Sequence, residues 1–202
     1  CGAANARADL FVPLAQVGAK LPGGVEIKAA QLRGIKSAGM LCSAKELGLA
    51  EKSDGLLELD ASAKPGIAFA DYLKLNDQIL AFEFTPNRGD CLSIAGLARE
   101  AAAIFGLPFL VAAIPAVAVK SSRSQAVEVE NPDLCPSYAG RIVEGINPQA
   151  RTPDWMREKL RRSGLRCIHP LVDIPNFVIL EVRQPVPPYS APQPTATTPA
   201  RP

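Results

Sequence analysis

Histidine is almost missing from this sequence. The only one, His169, has no neighbours with which to hold a metal, so it reads as a structural or surface residue. The five cysteines, Cys1, Cys42, Cys91, Cys135 and Cys167, are odd in number, widely spaced and never arranged Cys-x-x-Cys. That excludes a zinc knuckle and a dithiol redox motif, and scattered thiols suit a reducing cytoplasm. Long apolar runs are also lacking. The most apolar stretch, residues 107–119, carries Pro108 and Pro115 and falls short of the about 20 residues that a membrane span needs. Cys1 to Asp9 has no apolar core of the kind that marks a signal peptide. No glycine-rich phosphate loop stands between a strand and a helix, since Gly23-Gly24 reads more simply as a hairpin turn. No nucleophile is partnered with a base, no two carboxylates can be coupled from their spacing, and no repeat occurs. With 22 basic and 20 acidic residues the formal charge is +2, which gives no global field for nucleic acid. The chain opens on Cys1 rather than methionine, which points to a processed chain or a gene fragment.

What is present reads as a globular α+β protein. The 202 residues are 48% hydrophobic and 21% charged, enough for one or two domains with cores. Short β signals dominate the first 60 residues: Phe11 to Val17, then Val25 to Ala29 after the Leu21-Pro22-Gly23-Gly24 turn, then Gly55 to Leu59. Ser43 followed by Glu46 fits a capping box and predicts a helical turn to Leu47. Short strands with glycine-rich turns suit a small barrel. The stretch TPNRGDCLSIAGLAREAAAIFG at 85–106 sets a polar corner before a helix. Asp90 is placed to cap that helix, Ile94, Leu97, Ala98, Ala101 and Phe105 share one face, and Gly106 ends it. A second unit begins near Gln125, with a strand expected from Tyr138 to Ile146 and a helix opened by Thr152-Pro153-Asp154 and closed at Ser163-Gly164. Val178-Ile179-Leu180 reads as a further strand or a helix start. From Gln184 to Pro202, seven of nineteen residues are proline, so this tail is expected to be extended or disordered.

Charge is uneven along the chain. Residues 1–72 hold eight basic and eight acidic groups, 73–118 hold three and four, and 119–202 hold eleven and eight. Lys20, Lys28, Arg33 and Lys36 make a basic stripe with only Glu26 opposing. Such a stripe could track a nucleic-acid backbone, or it could be a solvated strand face. Arg157, Lys159, Arg161, Arg162 and Arg166 crowd the second helix with Glu158 as the only local acid, and the same two readings apply. The residues by themselves lead to a cytoplasmic α+β protein with a capacity for nucleic-acid binding.

Two stretches are more specific. LRGIKSAGMLCSAKELGL at 32–49 resembles the signature of tRNA-binding OB domains, found in free-standing tRNA-binding proteins and in the β subunit of bacterial phenylalanyl-tRNA synthetase. TPNRGDCLS at 85–93 resembles a motif of the β subunit that the free-standing proteins lack. CPSY at 135–138, WMREKLRRSG at 155–164 and VDIPNFV at 172–178 follow in β-subunit order, so the resemblance covers about residues 1 to 185. It implies an incomplete OB-fold β-barrel of the tRNA-binding type at 1–72 that lacks its first strands, and a small α/β linking domain at 73–118. The start of a B3/B4 editing-type domain would occupy 119–185, with a disordered proline-rich tail at 186–202.

The resemblance also implies roles. Lys20, Lys28, Arg33 and Lys36 would touch tRNA. Asn87, Arg88 and Asp90 would fix the corner, Arg88 and Asp90 by bonds to backbone groups. The implied holoenzyme is a cytoplasmic α2β2 tetramer that attaches phenylalanine to its tRNA, using ATP and magnesium in the alpha subunit. This chain would bind neither cofactor, no metal and no membrane, and would itself be non-catalytic. In the family an asparagine after a threonine helps hold the editing water, and a histidine twelve positions past that threonine lines the pocket. Here Asn176 remains as the remnant, while Pro175 and Pro187 stand at the other two positions. Where the family continues Gly-Gln-Pro-Met-His-Ala-Phe-Asp, this chain has RQPVPPYS at 183–190. A free-standing tRNA-binding module and a truncated or frame-shifted gene fragment are the competing readings.

Overall fold

A computed structural model describes residues 1–111, 113–190 and 198–200. The chain divides into two units, residues 1–79 with 153–158, and residues 80–152 with 159–202.

The first unit is built from short strands. β1 (Leu14–Gln16) pairs antiparallel with β4 (Gly39–Leu41), in register Leu14 with Leu41 and Gln16 with Gly39. Between them, β2 (Ala30–Leu32) and β3 (Ile35–Ser37) form a hairpin. Its two-residue turn is Arg33-Gly34, both at positive φ (50° and 82°), as the twist of a tight hairpin requires. The expected Leu21-Pro22-Gly23-Gly24 turn forms: the Leu21 N–H donates to Val25 O at 2.8 Å, and Gly23 and Gly24 take φ of 89° and 80°. The capping box forms too. The Ser43 N–H donates to Glu46 Oε2 at 2.6 Å, and the Glu46 N–H donates back to Ser43 Oγ at 3.3 Å.

The core of this unit is small. Ala15, Ile27 and Cys42 are buried together, with Ala19, Leu21, Met40 and Leu47 packed against them. Burial pushes the Cys42 thiol up. The expected strands at 25–29 and 55–59 do not form regular ladders, and no closed barrel forms among the described residues. Single backbone bonds replace the ladders, such as Ile27 N–H to Ala19 O at 2.9 Å, Leu57 N–H to Cys42 O at 3.0 Å and Leu59 N–H to Phe11 O at 2.8 Å.

Two side-chain clamps close the unit. Asn5 Nδ2 donates to Leu56 O and Glu58 Oε1, both at 3.0 Å, while Asn5 Oδ1 accepts from the Leu56 N–H at 2.9 Å. The second is Asp154. Its Oδ2 accepts from the Asp60 N–H and from the Tyr72 hydroxyl, each at 2.8 Å. Tyr72 ends α1 (Phe69–Tyr72). Burial and the neighbouring Asp154 push its phenol up to about 12.

In the second unit the 3-10 segment Pro86–Cys91 leads into α2 (Ile94–Phe105). The expected cap is corrected: Ser93, not Asp90, caps α2, its Oγ accepting from the Gly96 N–H at 3.0 Å. Asp90 is instead held by Arg88. The expected stop holds, with Gly106 left-handed at φ 62°. The expected apolar face is not the buried one: Ile94 and Phe105 are 53% and 73% exposed, while Gly96 is buried. The reason is the close approach of the 3-10 segment, which only a glycine admits. An added Cβ at Gly96 would lie 2.1 Å from Asp90 O.

No strand forms at 138–146. β5 (Val127–Val129) pairs in parallel with β6 (Thr198–Ala200), so part of the proline-rich end lies extended along a strand, with Pro199 at a two-stranded edge where a missing N–H is tolerated. The rest of the tail, residues 191–197, 201 and 202, lies outside the described residues. α3 (Asp154–Arg162) starts and stops near its expected signals. The Thr152 hydroxyl, at the expected cap position, donates to Asp173 Oδ2 at 2.5 Å. α4 (Pro170–Val182) contains Val178 to Leu180. His169 caps it, Nδ1 accepting from the Leu171 N–H at 3.2 Å.

Candidate nucleic-acid interface

The four basic residues singled out for phosphate contact are all exposed. Lys36 lies on β3 opposite Gln31, and Arg33 occupies the hairpin turn. Lys28 precedes β2, and Lys20 faces Glu26 across an isolated bridge. Glu26 is the only acid between residues 10 and 45. The hairpin therefore offers a cationic surface without an internal counter-ion beside Lys28, Arg33 or Lys36.

The second basic group differs. Arg157 Nη1 pairs with Asp154 Oδ1 at 3.3 Å. Lys159 Nζ lies 3.5 Å from Glu181 Oε1 and 5.3 Å from the centroid of the Phe177 ring. Arg157 is thus paired within α3, and Lys159 ties α3 to α4.

The polar corner is a charged knot. Arg88 donates from Nη1 to Glu100 Oε1 at 2.9 Å and from Nη2 to Glu100 Oε2 at 2.5 Å. Arg88 also reaches both Asp90 oxygens at 3.2 Å and Cys91 Sγ at 3.0 Å. These bonds join side chains rather than side chain and backbone, which corrects the expectation, and they bring in Glu100. Spacing across twelve residues and an intervening 3-10 segment gave no sign of that partner. Arg88 holds the Glu100 and Asp90 carboxyls below their ordinary range, and they in turn raise Arg88. Burial pushes the Cys91 thiol up even beside Arg88. Asn87 is exposed on the 3-10 segment.

Asp90, Cys91 and Glu100 bring ligand atoms within 4.8 Å of one another. The guanidinium of Arg88 already supplies the positive charge among them, and it would have to leave before a magnesium ion entered. A thiol is also a poor donor for magnesium, which takes oxygen ligands. The residues therefore do not fit that ion.

α4 carries Asn176, half-buried. A buried carboxylate lies one turn earlier on the same helix. Asp173 is 1% exposed, and accepts from the Thr152 hydroxyl at 2.5 Å and the Ile168 N–H at 2.9 Å. Sequence reasoning missed Asp173, although an acid at the start of a helix is a favourable placement. Pro175 lies inside α4 and has neither an N–H nor a hydroxyl to offer a neighbour.

Residues 1–68 match the family described as "Putative tRNA binding domain", and residues 134–193 match the "B3/4 domain" family. The chain is 55% identical over 186 residues to the phenylalanine–tRNA ligase beta subunit of Methylococcus capsulatus, covering 92% of this chain and 24% of that one. It is 50% identical over 185 residues to the beta subunit of Bordetella pertussis (92% and 23%) and 50% identical over 186 residues to that of Dechloromonas aromatica (92% and 23%). The chain thus spans about a quarter of the length of the curated relatives it matches. No helix among the described residues is long and apolar enough to cross a membrane. Over 92% of its length the chain is homologous to a portion of phenylalanine–tRNA ligase beta subunits.

Proposed function

We propose that this chain contributes tRNA binding to the ATP-dependent attachment of phenylalanine to its tRNA, as part of a beta subunit. The observation that carries the reading is the exposed, unopposed basic surface of the β2–β3 hairpin, inside the segment that matches the tRNA-binding family. In this proposal residues 1–72 are a tRNA-binding module of OB type. Residues 73–118 link it to the beginning of an editing-type domain. The partners are tRNA(Phe) and an alpha subunit, in a cytoplasmic α2β2 enzyme whose alpha subunit handles ATP and magnesium. A free-standing tRNA-binding module is the weaker reading, because the similarity continues past residue 68 into residues 134–193.

Binding of this kind is backbone-led. Each neutralised phosphate should contribute a slope of about −0.9 or less on a log–log salt plot. With only three to four cations engaged, affinity for tRNA(Phe) should fall with a shallow slope between about 50 and about 200 mM salt. The variant K28A/R33A/K36A should bind at least tenfold more weakly and with a shallower slope. Filter binding across a salt series reads both. An affinity that ignores salt, or a triple variant that binds as the parent does, would refute the proposal.

Editing is a different matter. Hydrolysis of a mischarged ester needs polar groups held together around water. Asn176 stands beside Pro175 on α4, and Pro187 has no side-chain donor or acceptor. The chain should therefore leave tyrosyl-tRNA of the phenylalanine acceptor untouched, and it should not support phenylalanine-dependent ATP–pyrophosphate exchange. Deacylation faster than in buffer and abolished by Asn176→Ala would defeat the first expectation. Exchange above a no-protein control would defeat the second.

A further inference from the structure

The tip of the β2–β3 hairpin has a feature that phosphate binding does not use. Leu32 and Ile35 are paired directly across the two strands, and they are 66% and 74% exposed. No other large apolar side chain among residues 1–72 is as exposed. Strand alternation puts them on one face of the hairpin and Gln31 and Lys36 on the other. The tip has a fixed shape. Arg33 and Gly34 sit at φ 50° and 82°, and Gln31 Nε2 donates to Gly34 O at 3.1 Å. An arginine at that φ occupies the left-handed region that favours glycine. The apolar pair is thus held out into water by a turn that tolerates strain.

What covers such a tip must also accept cations. Arg33 stands between Leu32 and Ile35, and Lys36 follows. A protein surface would need an acidic rim around an apolar patch to do both. Regular duplex RNA answers the charges and hides the faces of its bases. An RNA that loops or bends sharply offers both, with phosphates at the flanks and the apolar face of an unstacked base between them.

We propose that Leu32 and Ile35 form an apolar tip that packs on an unstacked base in a looped or sharply bent part of the bound RNA, while Arg33 and Lys36 hold the flanking phosphates. This rests on the RNA-binding reading and adds the part of the RNA that is read. It makes the hairpin selective for RNA shape, where a cationic stripe alone would not be.

The test uses the full chain with two labelled RNAs of equal phosphate number, a stem-loop and a blunt duplex. The parent should prefer the stem-loop by about tenfold. L32A/I35A should lose that preference and keep the salt slope, whereas L32M/I35V, which retains an apolar tip, should keep both. Equal binding of the two RNAs by the parent, or a preference that survives L32A/I35A, overturns the proposal and leaves phosphate binding standing. K28A/R33A/K36A without effect overturns the RNA reading itself. Sedimentation of the same proteins adds another arm: self-association abolished by L32A/I35A, with RNA preference intact, assigns the tip to a second copy of the chain and overturns the proposal.

Discussion

Gly96→Ala should separate the 3-10 segment Pro86–Cys91 from α2. Two effects oppose each other at this site. Alanine is the better helix former, by about 1 kcal/mol relative to glycine. Against that, its methyl group would meet backbone on two sides, 2.1 Å from Asp90 O and 3.0 Å from Cys91 Cα. Backbone cannot swing aside as the end of a side chain can. The segment must move by about an ångström, and the five contacts that Arg88 makes to Asp90, Cys91 and Glu100 depend on its staying. Overpacking of this kind costs about 3 kcal/mol, so the clash outweighs the gain in propensity. Circular dichroism should show α2 retained while the melting transition falls by several degrees. A variant as stable as the parent, or more so, would show that the segment is not pinned there.

Asp173→Ala should be comparably costly for a different reason. The carboxylate is buried and answers two donors, the Thr152 hydroxyl and the Ile168 N–H. Truncation leaves both donors facing a small cavity. Hydrogen bonds to a charged group contribute about 1.5–3 kcal/mol each, and a stranded buried donor costs about 1–3 kcal/mol. A loss of about 3 kcal/mol is expected, together with fraying of the first turn of α4. Asp173→Asn should fall between the two, since its one carbonyl oxygen can still accept from Ile168. Amide exchange of residues 172–174 and 176 gives the local readout, and unchanged protection in Asp173→Ala would sink the claim.

The local signals in this sequence were legible where a single residue type solves a local problem. Glycine was needed at Gly23-Gly24 and Gly106, and both positions have positive φ. The Ser43–Glu46 box is complete within four residues. What failed was non-local. Asp90 is a good cap by type, but Arg88 claims it, and Ser93 takes the cap instead. The apolar stripe of α2 suggested a buried face, yet Gly96 sets which side packs. α4 was hidden by Pro175, which normally ends a helix. Pro170 at its start and the His169 cap were the signals that could have revealed it. In the candidate interface, Lys28, Arg33 and Lys36 were singled out from charge alone, and their exposure and the Arg33-Gly34 turn were not legible in that signal.

Asp154 bears on the order in which the molecule can be made. Its carboxylate completes the first unit by holding the Asp60 N–H and the Tyr72 hydroxyl, across 94 and 82 residues of chain. A nascent chain emerges from the ribosome at roughly 5–20 residues per second. Residues 1–79 therefore spend several seconds outside without the carboxylate that ties Asp60 to α1. Closing so long a loop also carries an entropic cost that a nearby partner would avoid. Synthesis halted before residue 154 should leave that seam open to proteases, and release of a few further residues should seal it.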